Sequence, residues 1–358
     1  MRPRLPRRSR TTGRRVTRRR ATALAVAPLL ALSLSACGQG EGQEPLSDDA
    51  LVIYSGRNEN LVGPVLKKLE DATGVDVQVR YGGSSELAAQ LLEEGENTKA
   101  DIFFSQDAGA LGALGKADRL ETLDPATTGK VIEGFADPNG HWVATSARAR
   151  VIAYDPAQAP EVTSMTSVDA VLDPKYKGKI GYAPANASFQ SFVTALRVTK
   201  GEDGAKKWLE DFKANEPKAY DNNILVLDAV DSGQVALGLI NHYYWYERVA
   251  EKGAGSVKAK IHFLGSDDPG ALINVAGVGV LKGSNQKAGA TKAIDYLLSK
   301  EGQQYFADET AEYPVVAGIE STKHDIVPLS ELKRSSVDLN SLDSLEQTLA
   351  LLDEVGLT

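Results

Sequence analysis

The chain has 358 residues, 42% of them hydrophobic and 25% charged, with a formal net charge of −8; this is a globular composition, and the length favours two lobes over one core. The first 36 residues hold ten arginines and no acid, which leaves 30 basic against 48 acidic residues, a net of −18, in the remainder. So acidic a surface excludes nucleic acid and anionic membrane as electrostatic partners.

Behind the arginines an apolar run covers residues 21–34, and Leu34-Ser35-Ala36-Cys37 follows. A basic segment, a short apolar segment and small residues before a cut describe a secretory signal. The run is too short to span a membrane with confidence. The tetrad resembles the lipobox of bacterial lipoproteins, whose cysteine becomes the lipidated first residue. Cys37 is the sole cysteine and precedes a polar, glycine-rich stretch. Its use as an anchor leaves no disulfide and no cysteine-metal site. Residues 1–36 are thus expected to be removed and residues 37–50 to form a tether. The protein is expected outside the cytoplasm, held on the outer face of the cell membrane through Cys37. Sec and twin-arginine export both stay open.

Residues 51–54 read as a strand, and Ser55-Gly56-Arg57-Asn58-Glu59 as its loop. Residues 61–73 place Leu61, Val62, Val65, Leu66 and Leu69 on one helical face, and Gly74 stops that helix. A second strand at 75–80 leads to a loop whose serines can cap a helix over 86–94. A third strand at 101–104 leads through Ser105-Gln106-Asp107 into another helix. This alternation predicts a parallel sheet with helices on its faces. The loops fall at the carboxyl ends of strands, so Asn58, Ser84 and Gln106 should share one edge, where open α/β sheets bind ligands.

Residues 148–154 form another strand, broken by Asp155-Pro156, and a second α/β series starts at 179–183. Its loop, Pro184 to Ser188, precedes a helix from Phe189, and Trp208, Leu209 and Phe212 lie on a later helix. Asp221-Asn222-Asn223 opens a helix ending near Ser232-Gly233. The apolar run 234–240 reads as a buried strand, and residues 247–253 as a short helix. Between them stand Asn241-His242-Tyr243-Tyr244-Trp245-Tyr246. The adjacent tyrosines either face a cleft or form an amphipathic rim, and the local residues favour the rim. A glycine-rich strand at 275–281, a helix with Ala293, Ile294, Leu297 and Leu298, a loop or edge at 312–316 and a final helix over 344–355 complete the chain.

No nucleophile elbow, phosphate-cradling loop, dinucleotide fingerprint or zinc-protease motif occurs. His141, His242, His262 and His324 lack metal-ligand spacing, and Asp267-Asp268 reads as a pair of loop caps. An exported two-lobed α/β chain without catalytic motifs points to a binding protein, not an enzyme, whose lobes close on a ligand.

Five segments together resemble one family: Asn241-x-Tyr243-Tyr244-Trp245, Arg148-x-Arg150-Val-x-x-Tyr154-Asp155, Ile180-Gly-Tyr-x-Pro184, Asp268-Pro-Gly-Ala271 and Glu312-Tyr-Pro314. In order and spacing they look like the ferric-ion-binding substrate proteins of bacterial iron importers, from about residue 51 to about residue 355. The resemblance implies an α/β, two-lobed type II periplasmic-binding-protein fold, with mixed sheets, helices on both faces and a ligand cleft between the lobes. Crossings are expected near 148–152 and 275–280. Lobe 1 would be 51–149 with 276–320, lobe 2 150–275, and 321–358 a C-terminal helical segment. The implied function is capture of Fe(III), with an anion or as a chelate, for delivery to an ABC importer permease and ATPase. A monomer is expected.

The family's iron ligands match Tyr243 and Tyr244. Fe(III) prefers anionic oxygen, and a bound cation deprotonates a phenol whose free pKa is about 10. Neighbours in a first helical turn stand about 100° apart, so both can reach one ion. The chain also departs from the pattern. Asn58 stands where many members have a histidine ligand, Gln106 where they have a glutamate with Asp107 next, and the loop after Pro184 has no tyrosine. The remaining coordination then falls to an anion, water, Asp107 or His242. Positions matching the family's carbonate or phosphate site are Asp107, Asn186, Ala187, Ser188, Asn223 and Asn241, with a helix N-terminus after Ser188 to suit an anion and Asp107 to repel it. Arg57 and Arg148 supply a bidentate fork or a surface ion pair. The neutral Asn58 and Gln106 leave open an organic cargo such as thiamine, a polyamine or a phosphonate. Cleft carboxylates leave a secreted hydrolase as a remote third reading.

Overall fold

A computed structural model describes residue 47 and residues 49–358, apart from 266, 334 and 336. The expected signal, Cys37 and residues 38–46 of the tether lie outside the described residues.

β1 (Leu51–Ser55) is wholly buried, and α1 (Glu59–Thr73) follows it. Asn58 caps α1 by accepting the Asn60 N–H, Gly74 ends it at φ 67°, and Val62, Val65, Leu66 and Leu69 form its buried face. β2 (Val77–Tyr81), α2 (Ser84–Glu94), β3 (Ile102–Ser105) and α3 (Ala108–Lys116) continue the alternation. A single turn, α4 (Pro125–Thr128), precedes β4 (Val143–Tyr154), whose twelve residues are all buried. Then come β5 (Ile180–Tyr182), α5 (Ala187–Ala214), β6 (Lys218–Ala219), α6 (Asn223–Asp231), β7 (Leu237–Asn241) and α7 (Tyr243–Lys252). β8 (Lys260–His262), β9 (Ile273–Val280), α8 (Lys287–Leu297), α9 (Lys300–Glu309) and α10 (Leu345–Val355) complete the order.

β1 runs parallel to β2 and β3, and β9 lies antiparallel between β3 and β4. On the other side, β7 is antiparallel to β4 and parallel to β5, β6 extends β5, and β8 pairs with β4. β4 serves both lobes because twelve extended residues span about 40 Å. Val143 to Ala149 pair with β9, and Arg150 to Tyr154 pair with β7. Three apolar clusters result among the described residues: one around β1, β3 and β9, a second around α5 with the aromatic group Tyr182, Phe189, Phe192, Trp208 and Phe212, and a third in which Val226, Leu227 and Val230 of α6 meet Val151, Ala153 and Ile240. α10 returns the tail to that second core through Leu351, Leu352 and Val355.

Several boundaries differ from expectation, each for a local reason. α2 starts at Ser84, and its cap is Gly83 with no side-chain bond, so the serines do not cap it. The Ser84 hydroxyl instead accepts the Gln106 N–H at 2.8 Å. A Cβ on Gly56 would lie 2.8 Å from the Ser84 Cα, so only glycine lets the β1 loop approach α2 this closely. α5 starts at Ala187 because Asn186 caps it, which puts Ser188 inside the helix rather than before it. The helix carrying Trp208 continues α5 beyond a break at Gly201, φ 73°. α7 starts at Tyr243, four residues before the expected helix, and α9 was not expected. β9 pairs only with β3 and the first half of β4, so the chain re-enters that sheet at Ile273, ahead of residues 275–280.

Candidate metal and anion centre

β7 ends at Asn241, which faces Arg150 in register, and α7 begins two residues later. Tyr243 and Tyr244 therefore occupy the first turn of a helix at the carboxyl end of a strand. Their ring centroids are 4.1 Å apart and tilted by 34°. Tyr243 is 1% exposed, whereas Tyr244 is half-buried. Burial pushes both phenols above their ordinary pKa, Tyr243 well above it; Tyr244 raises Tyr243 further, whereas a hydrogen bond with Tyr243 pulls Tyr244 back. Arg57 pulls both back, and Asn223 pulls Tyr244 back by a hydrogen bond. Without a cation the pair stays protonated. A metal ion would take both as phenolates.

Guanidinium groups surround this pair. Arg57, in the β1 loop, donates to Glu312 Oε2 at 2.5 Å, and both side chains are buried. Ser146 and Thr310 donate to the same oxygen at 3.1 and 3.2 Å. Arg148 Nη1 stands 4.0 Å from Glu312 Oε1, and none of its three guanidinium nitrogens has a hydrogen-bond partner among the described residues. Arg150 donates to Ser188 Oγ at 3.1 Å and to the Leu239 carbonyl at 3.0 Å. Burial pushes it down to about 9, so it stays charged near neutrality. Three buried cations thus face two carboxylates, Glu312 and Asp107, and burial drives Asp107 toward its neutral form. Glu247, pushed up to about 8 chiefly by burial, adds no firm negative charge. Such a site has a surplus of positive charge and orphan donors, the requirements of an anion.

The structure brings Asn186, Ser188 and Asn223 together. Asn186 Oδ1 accepts from the Ser188 N–H and hydroxyl at 3.0 and 2.7 Å, and Asn223 donates to Ser188 Oγ at 3.0 Å. Ala187 is the buried first residue of α5, and Asn241 Nδ2 is buried without a partner among the described residues. The Ser188 N–H is consumed by the cap. Gln106 donates to Asn186 Oδ1 at 3.2 Å. Asn58 is exposed and caps α1, and Asp107 caps α3 by accepting the Ala110 N–H at 3.0 Å, with the Ser191 hydroxyl also facing its carboxyl.

His242 is built into the hinge instead of the cleft. Its Nδ1 accepts the Ala149 N–H at 3.2 Å, its ring stacks on Tyr313 at 4.6 Å, and burial holds it neutral at about 3. Two further charged residues stand at this site that the sequence did not single out for it: Arg150 and Glu312. The signal for Arg150 was present, since positions 148 and 150 of one strand lie on the same face. Among the described residues no three histidines, cysteines or carboxylates cluster to hold a metal.

The fold and cleft are those of a two-lobed type II periplasmic-binding protein. Residues 97–338 match the family described as bacterial extracellular solute-binding protein, and the chain belongs to that family. It is 36% identical over 310 residues to the major ferric iron-binding protein of Neisseria meningitidis, spanning 86% of this chain and 93% of that one. Iron-bound HitA from Pseudomonas aeruginosa superposes with TM-score 0.80 at 34% identity, over 86% of this chain and 99% of that one. Trichodesmium FutA, solved with iron and citrate ligands, superposes with TM-score 0.72 at 28% identity, over 86% and 100%.

Proposed function

We propose that this protein is the extracytoplasmic substrate-binding component of an iron importer, capturing Fe(III) and passing it to a permease driven by an ATPase. One observation carries the reading: two adjacent phenols in the first turn of α7, Tyr243 buried and Tyr244 half-buried, face guanidiniums that lack sufficient counter-charge. Tyr243 and Tyr244 bind the metal as phenolates and lose a proton each. Arg57 stabilises the charge they acquire. Arg148 and Arg150, with Asn186, Ser188, Asn223 and Asn241, hold an anion such as carbonate, phosphate or the carboxylates of a citrate chelate beside it. The organic-cargo alternative rested on the neutral Asn58 and Gln106, but the first caps α1 and the second bonds Asn186. The lobes divide at Ala149/Arg150 in β4 and near Ile273; Ile326, Leu329, Leu339 and Leu342 of the tail pack on the first core, and α10 returns to the second. The protein acts as a monomeric binding protein without catalysis.

Loading purified protein with ferric salt and carbonate or citrate should give one iron per chain and a visible tyrosinate-to-iron absorption, both weaker without the anion. A colourless protein that retains no iron overturns the reading. Cys37 anchors the protein to the membrane as a lipoprotein. Cys37→Ala should move it from the membrane fraction to the medium or periplasmic fraction, as read by immunoblot.

A further inference from the structure

Two hydrogen bonds cross the cleft between neutral side chains. Gln106, between β3 and α3, donates through Nε2 to Asn186 Oδ1 at 3.2 Å. Ser85, the second residue of α2, donates to Gln190 Oε1 at 2.5 Å. Both acceptors stand at the start of α5, in the other lobe. The donors belong to one tied unit, because the Gln106 N–H is held by Ser84 Oγ at 2.8 Å. The acceptors are held as well: Asn186 Oδ1 is fixed by the α5 cap, and Gln190, 5% exposed, donates to the Pro184 carbonyl at 3.4 Å. A carboxylate at position 106 could not donate to Asn186 and would set two acceptor oxygens against each other. The amide that makes position 106 a poor metal ligand is what makes this contact.

We propose that Gln106 and Ser85, closing on Asn186 and Gln190, form a metal-independent latch that holds the two lobes together before any cargo bridges them. Closure in this chain then does not wait for a ligand donated by each lobe. The tyrosine side holds the metal, and the latch holds the lobe carrying Arg57 against it. Two neutral hydrogen bonds of ordinary strength shift a closed-to-open ratio by roughly tenfold. The latch does not depend on which cargo the cleft takes.

The test uses iron-free full-length protein. Small-angle X-ray scattering and a fluorescent label pair across the cleft should show a mainly closed population in the wild type. The double variant Gln106→Ala with Ser85→Ala should lower the closed-to-open ratio by roughly tenfold, with unchanged far-ultraviolet dichroism. Ser85→Thr, which keeps the hydroxyl, should keep the closed population where Ser85→Ala reduces it. In iron-loaded protein the double variant should release iron faster while the tyrosinate absorption keeps its wavelength. Identical lobe-distance distributions in wild type and double variant would overturn the latch. So would a shifted absorption wavelength in Gln106→Ala, which would make Gln106 a ligand. If the protein takes no iron at all, the iron-free measurements still decide the latch.

Discussion

Tyr243→Phe combined with Tyr244→Phe should abolish ferric binding and its visible absorption while leaving the fold intact. The rings pack at 4.1 Å and remain in the double variant, so only the two oxygens that a hard trivalent cation requires are lost. Each single variant should retain a weaker, wavelength-shifted absorption, because one phenolate and the neighbouring anion still hold the metal. The same geometry sets a pH dependence. Burial raises both phenol pKa values, so both groups carry protons at neutral pH in the iron-free protein and must release them on binding. Affinity therefore strengthens as pH rises and levels off only above the phenol pKa values. Two coupled protons correspond to roughly a hundredfold in apparent affinity per pH unit. Titration with a ferric chelate in weakly buffered solution should count two more protons released per iron bound by the wild type than on the same addition to the double variant.

Glu312→Ala should destabilise the iron-free protein severely. Its carboxylate is fully buried, takes the Arg57 guanidinium at 2.5 Å, the Ser146 and Thr310 hydroxyls, and lies 4.0 Å from Arg148. Removing it leaves the buried Arg57 guanidinium without its ion pair and Arg148 with Asp107 as its one nearby carboxylate among the described residues. Breaking a buried pair from one side costs about 3–5 kcal/mol, which calorimetry should read as a melting point lower by roughly 5–15 °C. Glu312→Gln should lose less, since its amide oxygen still accepts from Arg57. Added phosphate or carbonate should recover more stability in Glu312→Ala than in the wild type, because an anion there replaces the missing charge.

Much of this site was legible locally. A strand running out at Asn241 and a helix ending at Gly253 placed two tyrosines at a strand–helix turn, and the motif around Arg148 and Arg150 stood beside them. Helical periodicity identified the buried face of α1 because burial repeats every 3.6 residues. Caps were less legible: Ser84, Ser85 and Ser188 are good capping types, yet Gly83 and Asn186 hold those positions, since the geometry of the entering chain selects the cap. His242 looked like a spare ligand and is instead a hinge residue, because its environment comes from Ala149 and Tyr313, both far away in sequence.

By itself the sequence determined the alternation of strands and helices, the acidic character of the chain after its arginine-rich start and the tyrosine pair at the end of β7. These depend on residue types and short spacings. The tertiary structure alone decided which charges meet. Arg57 finds Glu312 across 255 positions, Ser85 finds Gln190 across 105, and β4 changes partners between Ala149 and Arg150. Such pairings are set by where a chain that passes repeatedly between the lobes brings its loops together. No local pattern encodes that.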